Sequence, residues 1–261
     1  MAGAYDHGIR HIDLTTTIVT LYAGTGTYGS SGDGGPATSA TFSYPMGLWG
    51  TTDGILFVGD YDFHSIRKID NDAAHIITEY AGNILVPGFS GDGGPASSAL
   101  LNGLGHITGD TASNIYITDS GNNRVRKITS ATGIITTYAG NGIAASIDND
   151  VATSGSLGFG FHIFMGTGVA LYISDFSGNK IRKVSSTGAL TTFAGTGSAG
   201  FSGDGGPATS AQFRLPRGIW VDTNTDSMYV ADSYFPRVRI IAPDGIINTF
   251  AGTGSKYGCA A

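Results

Sequence analysis

Four aspartates each precede an arginine by seven residues: Asp60 and Arg67, Asp119 and Arg126, Asp175 and Arg182, Asp232 and Arg239. Opposite charges at one fixed spacing can hold an ion or an anion at four equivalent sites. They can also fasten one strand or repeat to the next, with the aspartate capping a turn. A pair that recurs in every copy of a repeat is read as architectural. Three more aspartates, Asp33, Asp92 and Asp204, stand in the motif GDGGPA at 32–37, 91–96 and 203–208. A carboxylate in a glycine-rich loop invites calcium, but calcium takes about 6–8 oxygens and each loop supplies one carboxylate. These three are therefore structural repeat positions too. No Lys-Ser/Thr follows the glycines at P-loop spacing, which excludes a phosphate cradle of that kind.

Two histidines break the repeat. His106 follows Asp92 by 14 residues, where Gly47 follows Asp33 and Gly218 follows Asp204. His162 precedes Tyr172 by ten, as His106 precedes Tyr116. They stand at equivalent places in adjacent copies, so His106 and His162 are the candidate ligands of a divalent metal. A catalytic zinc takes three protein ligands, and the two remaining copies carry Gly47 and Gly218, so the expectation is polar lining histidines and no cofactor. The connection before His162, at 141–166, has lost GDGGP and carries Asp148 and Asp150. G-x-S-x-G is absent and no histidine is spaced to serve a serine, so no catalytic residue is assigned.

These residues are positioned by an internal repeat, the first thing to seek in a chain of this kind. An aromatic followed by Ala-Gly recurs at 22–24, 80–82, 138–140, 193–195 and 250–252, with glycine spacings of 58, 58, 55 and 57. Between the markers run FVGDYDFHSIRKI (57–69), YITDSGNNRVRKI (116–128), YISDFSGNKIRKV (172–184) and YVADSYFPRVRII (229–241). Each copy reads as four short strands. The third alternates basic and apolar residues, the mark of a half-buried strand. Four antiparallel strands repeated in tandem are the pattern of a propeller blade, and Phe57, Tyr116, Tyr172 and Tyr229 are expected to pack between neighbours. The PATSA stretch of the connection predicts one helical turn, with proline tolerated at its start.

The blades resemble NHL repeats, in the subgroup whose connections read like AGTGSAGFSGDGGPATSAQF at 194–213. The resemblance covers about residues 9–254. It implies an all-β β-propeller of NHL type, serving as a binding platform for a protein or glycan partner on its loop face. It also implies, less often, a lyase or hydrolase with a metal in the central channel, where His106 and His162 would lie. An extracellular or cell-surface setting follows from the resemblance alone.

The expected organisation is a single propeller over 1–261: a half-blade at 9–24, then four full blades at about 42–82, 101–140, 157–195 and 213–252. A half-blade leaves a strand edge that proteins normally cover, so another chain or copy is one expected partner. Composition agrees with strands and turns. Glycine numbers 42 of 261 residues and charged residues make up 13%, against about 7% and about 25% in typical chains. The net charge of −6 lacks the basic excess of a nucleic-acid binder. No apolar run reaches membrane-helix length, no leader segment is visible at the start, and one cysteine, Cys259, excludes an intrachain disulfide. Three functions remain: a non-catalytic binding scaffold, a structural repeat domain of a larger assembly, and a metal-dependent lyase or hydrolase.

Overall fold

The computed structural model describes residues 1–3, 5–166, 168 and 170–254; Cys259 lies outside the described residues. The chain divides into two compact units, Met1–Asn122 with Arg126–Thr137, and Asn123–Val125 with Tyr138–Ala261. Each is built from small antiparallel sheets. Sheet 1 is β1 (Ala2–Gly3), β2 (Gly8–Ile12) and β3 (Val19–Ala23). Sheet 2 is β4 (Pro45–Gly50), β5 (Leu56–Asp60), β6 (Ser65–Ile69) and β7 (Ile77–Gly82). Sheet 3 is β8 (Leu104–Gly109), β9 (Ile115–Asp119), β10 (Arg124–Thr129) and β11 (Ile134–Ala139). Sheet 4 is β12 (Gly160–Met165), β13 (Leu171–Asp175), β14 (Lys180–Val184) and β15 (Leu190–Ala194). Sheet 5 is β16 (Gly206–Pro207), β17 (Pro216–Asp222), β18 (Ser227–Asp232), β19 (Arg237–Ile241) and β20 (Ile246–Ala251), ordered β16-β20-β19-β18-β17.

The expectation of a two-stranded half-blade at 9–24 is corrected. Ala2 and Gly3 pair with Ile9 and Gly8, so the N-terminal sheet has three strands and the described residues form five sheets. Each connection then runs along the fourth strand of the sheet it leads into. Gly34 and Ala37 donate to the carbonyls of Ile77 and His75, while Ile77 donates back to Gly35. The same exchange joins Gly93 and Ala96 to Ile135 and Gly133, and Gly205 and Ala208 to Ile247 and Gly245. In sheet 5 this pairing is regular enough to add β16 as a fifth strand. The two PATSA stretches and the PASSA of the second connection form the expected turns, three-residue 3-10 segments at Ala37–Ser39, Ala208–Ser210 and Ala96–Ser98, each preceded by proline. No helix among the described residues is long and apolar enough to cross a membrane.

Two bulges shape the sheets. On the first strand the register shifts between Pro45 and Gly47, Leu104 and Ile107, Gly160 and His162, and Pro216 and Ile219. On the fourth strand it shifts opposite Ile9/Arg10, Ile66/Arg67, Ile181/Arg182 and Val238/Arg239. The aromatic of the Ala-Gly marker lies two residues beyond the fourth-strand residue on the face of the second-strand aromatic, as Tyr80 follows Thr78 in line with Lys68 and Phe57. The second bulge sets the alanine after it opposite the third strand. Phe57 and Tyr80 meet edge-on at 4.8 Å, Tyr172 and Phe193 at 5.0 Å, Tyr229 and Phe250 at 5.0 Å.

Those aromatics close the core. Phe57, Trp49 and Tyr80 of sheet 2 pack on Ile107, Ile115, Ile117, Ile128 and Ile135 of sheet 3. Phe164, Tyr172 and Phe193 of sheet 4 pack on Ile219, Val230, Ile241 and Ile247 of sheet 5. Of the four aromatics expected between neighbours, Phe57 and Tyr116 are buried, while Tyr172 and Tyr229 are half-buried. Replacing Phe57 by alanine is expected to cost about 3–5 kcal/mol, as for a large-to-small core change. Phe250→Ala, on an exposed ring, is expected to cost less than about 1 kcal/mol in dilute solution. Urea denaturation of the two variants checks the contrast.

Candidate functional site

Arg67, Arg126, Arg182 and Arg239 are fully buried, although the alternation of their strands reads as half-buried. Each sits on the third strand opposite an apolar residue of the second: Val58, Ile173 and Val230 face Arg67, Arg182 and Arg239. An unpaired buried charge is prohibitive, and each guanidinium is met by a carboxylate and at least one carbonyl around the preceding connection, although Nε of Arg126, Arg182 and Arg239 has no hydrogen-bond partner among the described residues. Arg67 donates to Asp33 at 3.1 Å and to the carbonyls of Thr41 and Ser31. Arg126 donates to Asp92 at 2.7 Å and to the Ser90 carbonyl. Arg239 donates to Asp204 at 2.6 Å and to the carbonyls of Ser202 and Gln212. The GDGGPA aspartates are thus the arginines' anchors on the connection.

The aspartate seven residues earlier is also buried and approaches from the sheet side. Asp119 accepts from Arg126 at 3.2 Å and Asp175 from Arg182 at 3.3 Å. Asp60 accepts from the backbone N–H groups of Ser43 and Tyr44, and Asp232 from that of Arg214. Asp60 and Asp232, and Asp119 through the Asn102 N–H, thereby tie down the end of the connection, while Asp175 takes the Gly178 N–H of its own turn. Burial pushes the carboxyls of Asp60 and Asp119 above the usual range, against the N–H groups and arginine that lower them. Burial pushes Asp232 up to about 6; its Oδ2 accepts no hydrogen bond among the described residues. Burial alone would raise Asp204, but the Thr249 hydroxyl and Arg239 hold it below the usual range.

The divergent third connection keeps this brace. Asp148 accepts from Arg182 at 2.6 Å, and Asn149 and Leu190 exchange backbone hydrogen bonds as the other connections do. Asp148 was not singled out as a repeat position, yet it precedes Arg182 by 34 residues, as Asp33 precedes Arg67 and Asp92 precedes Arg126. That spacing was the available signal.

His106 and His162 stand at the first-strand bulge, each in its own unit. The bulged N–H of His106 donates to the Thr118 hydroxyl at 2.7 Å, and that of His162 to the Ser174 hydroxyl at 3.0 Å. In the other two sheets the bulge carries Gly47 and Gly218, and the hydroxyl's place is taken by Gly59 and Ala231. Histidine and hydroxyl therefore occur together. Gly47 has a packing reason: a Cβ there would press to 3.0 Å from the Ile107 backbone nitrogen. Burial holds the His162 imidazole down to about 4, neutral across ordinary pH. No group of three His, Cys, Asp or Glu side chains among the described residues gathers as a metal would require, so the donor set does not fit a catalytic zinc.

Within the second unit, a cleft opens between sheets 4 and 5. One part, about 350 Å³, is lined by Tyr172, Phe193, Lys183, Asp226 and Pro243. Its continuation, about 220 Å³, runs past Phe193 to Thr209 and Asp244. Lys183 Nζ lies 5.5 Å over the Tyr172 ring. A lining that mixes aromatic rings with charged side chains is suited to a polar ligand with an apolar face.

The comparisons with known proteins agree on architecture. The Staphylococcus aureus virginiamycin B lyase superposes with a TM-score of 0.55 at 18% identity, over 96% of this chain and 64% of that one. A Bacteroides thetaiotaomicron protein of unknown function gives 0.65 at 20% identity, over 97% and 54%. An auxiliary nutrient binding protein from the same organism gives 0.62 at 16% identity, over 94% and 64%. The fold is that of a β-propeller, with the five sheets as blades. No family model matches the chain. Among curated proteins, the Arabidopsis thaliana protein SUPPRESSOR OF QUENCHING 1, chloroplastic, is 26% identical over 242 residues, 87% of this chain and 23% of that protein. The chain spans about a quarter of this relative and less than two thirds of each of these three solved structures.

Two expected outcomes follow from the buried groups. Because the folded state holds the Asp232 proton more tightly than the unfolded chain does, the parent loses stability as pH rises from about 4 to about 6. Asp232→Asn abolishes that loss, so its stability relative to the parent should climb over this interval and level above it in pH-dependent denaturant melts. At the bulge, Thr118→Val should cost about 1–3 kcal/mol by leaving the His106 N–H unsatisfied, read by the same melts.

Proposed function

We infer that the chain is a non-catalytic binding module built of NHL-type blades, and that the cleft between sheets 4 and 5 receives its partner. The repeated Asp–Arg sets support this reading, since their charges are consumed in bracing connections to sheets. The cleft then presents the half-buried rings of Tyr172 and Phe193, where they are not packed on sheet 5, together with Lys183, Asp226 and Asp244. Aromatic faces stack on the apolar faces of sugar rings while the charged rim takes the hydroxyls, so a carbohydrate is the partner class this cleft fits best. The auxiliary nutrient binding protein among the fold relatives is consistent with a binding role.

A second reading is that the module serves inside a larger polypeptide. It is favoured by the Arabidopsis relative, of which the matched region is 23%. The two readings are compatible, since a binding blade set can be one part of a longer chain.

Calorimetric titration with neutral and acidic oligosaccharides tests the cleft. Binding that is lost in Phe193→Ala and in Lys183→Ala, with the fold retained, is the expected result. Binding unaffected by both substitutions, or no binding across the panel, overturns the assignment.

A further inference from the structure

Sheets 2, 4 and 5 carry the same aromatic ladder on the same face. In sheet 2 Trp49 and Phe57 stack at 5.9 Å and Phe57 meets Tyr80; in sheet 5 Trp220 and Tyr229 lie at 5.7 Å and Tyr229 meets Phe250. The ladders of sheets 2 and 4 are covered by the following sheet. That of sheet 5 is open: Trp220 is 53% and Phe250 60% exposed.

What covers a ladder is the opposite face of a sheet of the same kind. On sheet 3 that face offers five isoleucines, and Gly109, where any Cβ would collide with the Trp49 ring. On sheet 2 it offers Val58, Ile69 and Ile77, covered by Tyr22 of sheet 1. On sheet 1 the corresponding positions are Arg10 opposite Leu21 and Ile12 opposite Val19, as Arg67 is opposite Glu79 and Ile69 opposite Ile77. This face is open as well. Val19 is 51% and Leu21 47% exposed, and Arg10, at the place of a braced arginine, meets only Asp6, at 4.0 Å, as a carboxylate partner among the described residues.

The geometry points to docking of the sheet 5 ladder onto sheet 1 of a second copy of this chain. Each copy carries both halves of a contact that the chain already makes between sheets 1 and 2, 2 and 3, and 4 and 5. The contact is heterologous, head to tail, so it closes into a ring of copies or extends as a filament. Aromatic rings dominate such contacts because they bury the most apolar area. The proposal is independent of the carbohydrate cleft, which lies on the other side of sheet 5.

Sedimentation velocity across micromolar concentrations tests it. The parent mass is expected to rise with concentration, while Trp220→Glu and Leu21→Glu each stay monomeric. Mixing the two variants should restore one dimer, since each retains the face the other lacks. A parent that stays monomeric throughout, a Leu21→Glu variant that associates like the parent, or a mixture that fails to pair overturns the proposal. Thermal melts establish that the variants fold; Phe250→Glu with Val19→Glu repeats the pair if either does not.

Discussion

A buried guanidinium held by the aspartate of its connection is the interaction on which each full repeat depends, and in two of the four it is balanced from the sheet side as well. Arg126 lies between Asp119 of its own sheet and Asp92 of the connection, and also takes the Ser90 carbonyl. Removing such a charge from water costs several kcal/mol, and the return comes only when partners are geometrically complete. The connection therefore has one acceptable course. It must bring its aspartate and one or two carbonyls to the arginine, and in doing so it lays its backbone along the fourth strand. The glycine-rich motif is the sequence consequence of that course.

The second constraint is close approach between strands. Gly82 adopts φ +95°, and a Cβ there would strike the His64 carbonyl. The glycines of all the aromatic-Ala-Gly markers share this conformation, and strand alternation places the aromatic before them on the face of the second-strand aromatic. Brace and ladder thus divide the work: the arginine holds a connection to its own sheet, and the ladder holds one sheet to another. Where a ladder has no sheet upon it, as at Trp220, a surface remains that is chemically a core.

Much of this was legible in the residues. The repeat period, the four Asp–Arg pairs, the proline-started turns and the all-β architecture all follow from spacing, because one tertiary environment recurs with one set of side chains. Four features were not legible. Burial of the arginines contradicted the alternation of their strands, since a period-two pattern records which face a residue takes and cannot tell solvent from a polar pocket. Asp148 was hidden because its GDGGP surroundings are gone while its geometric duty is kept. The first sheet read as two strands because Ala2–Gly3 has no strand-like composition and is held by backbone pairing alone. The bulge hydroxyls Thr118 and Ser174 were likewise missed, although they accompany histidine and are absent beside glycine.

The binding reading rests on this rigidity, because a cleft between sheets is only as well formed as the connections that fix them. Native-state hydrogen exchange of Asp204→Asn is the most direct measurement of the brace. The account predicts at least about tenfold faster exchange at Gly205 and Ala208, a local loss of about 1.4 kcal/mol, with Val230 and Ile241 still protected. Unchanged exchange at Gly205 and Ala208 would contradict it, for the connection would then be held by its backbone pairing without the buried arginine.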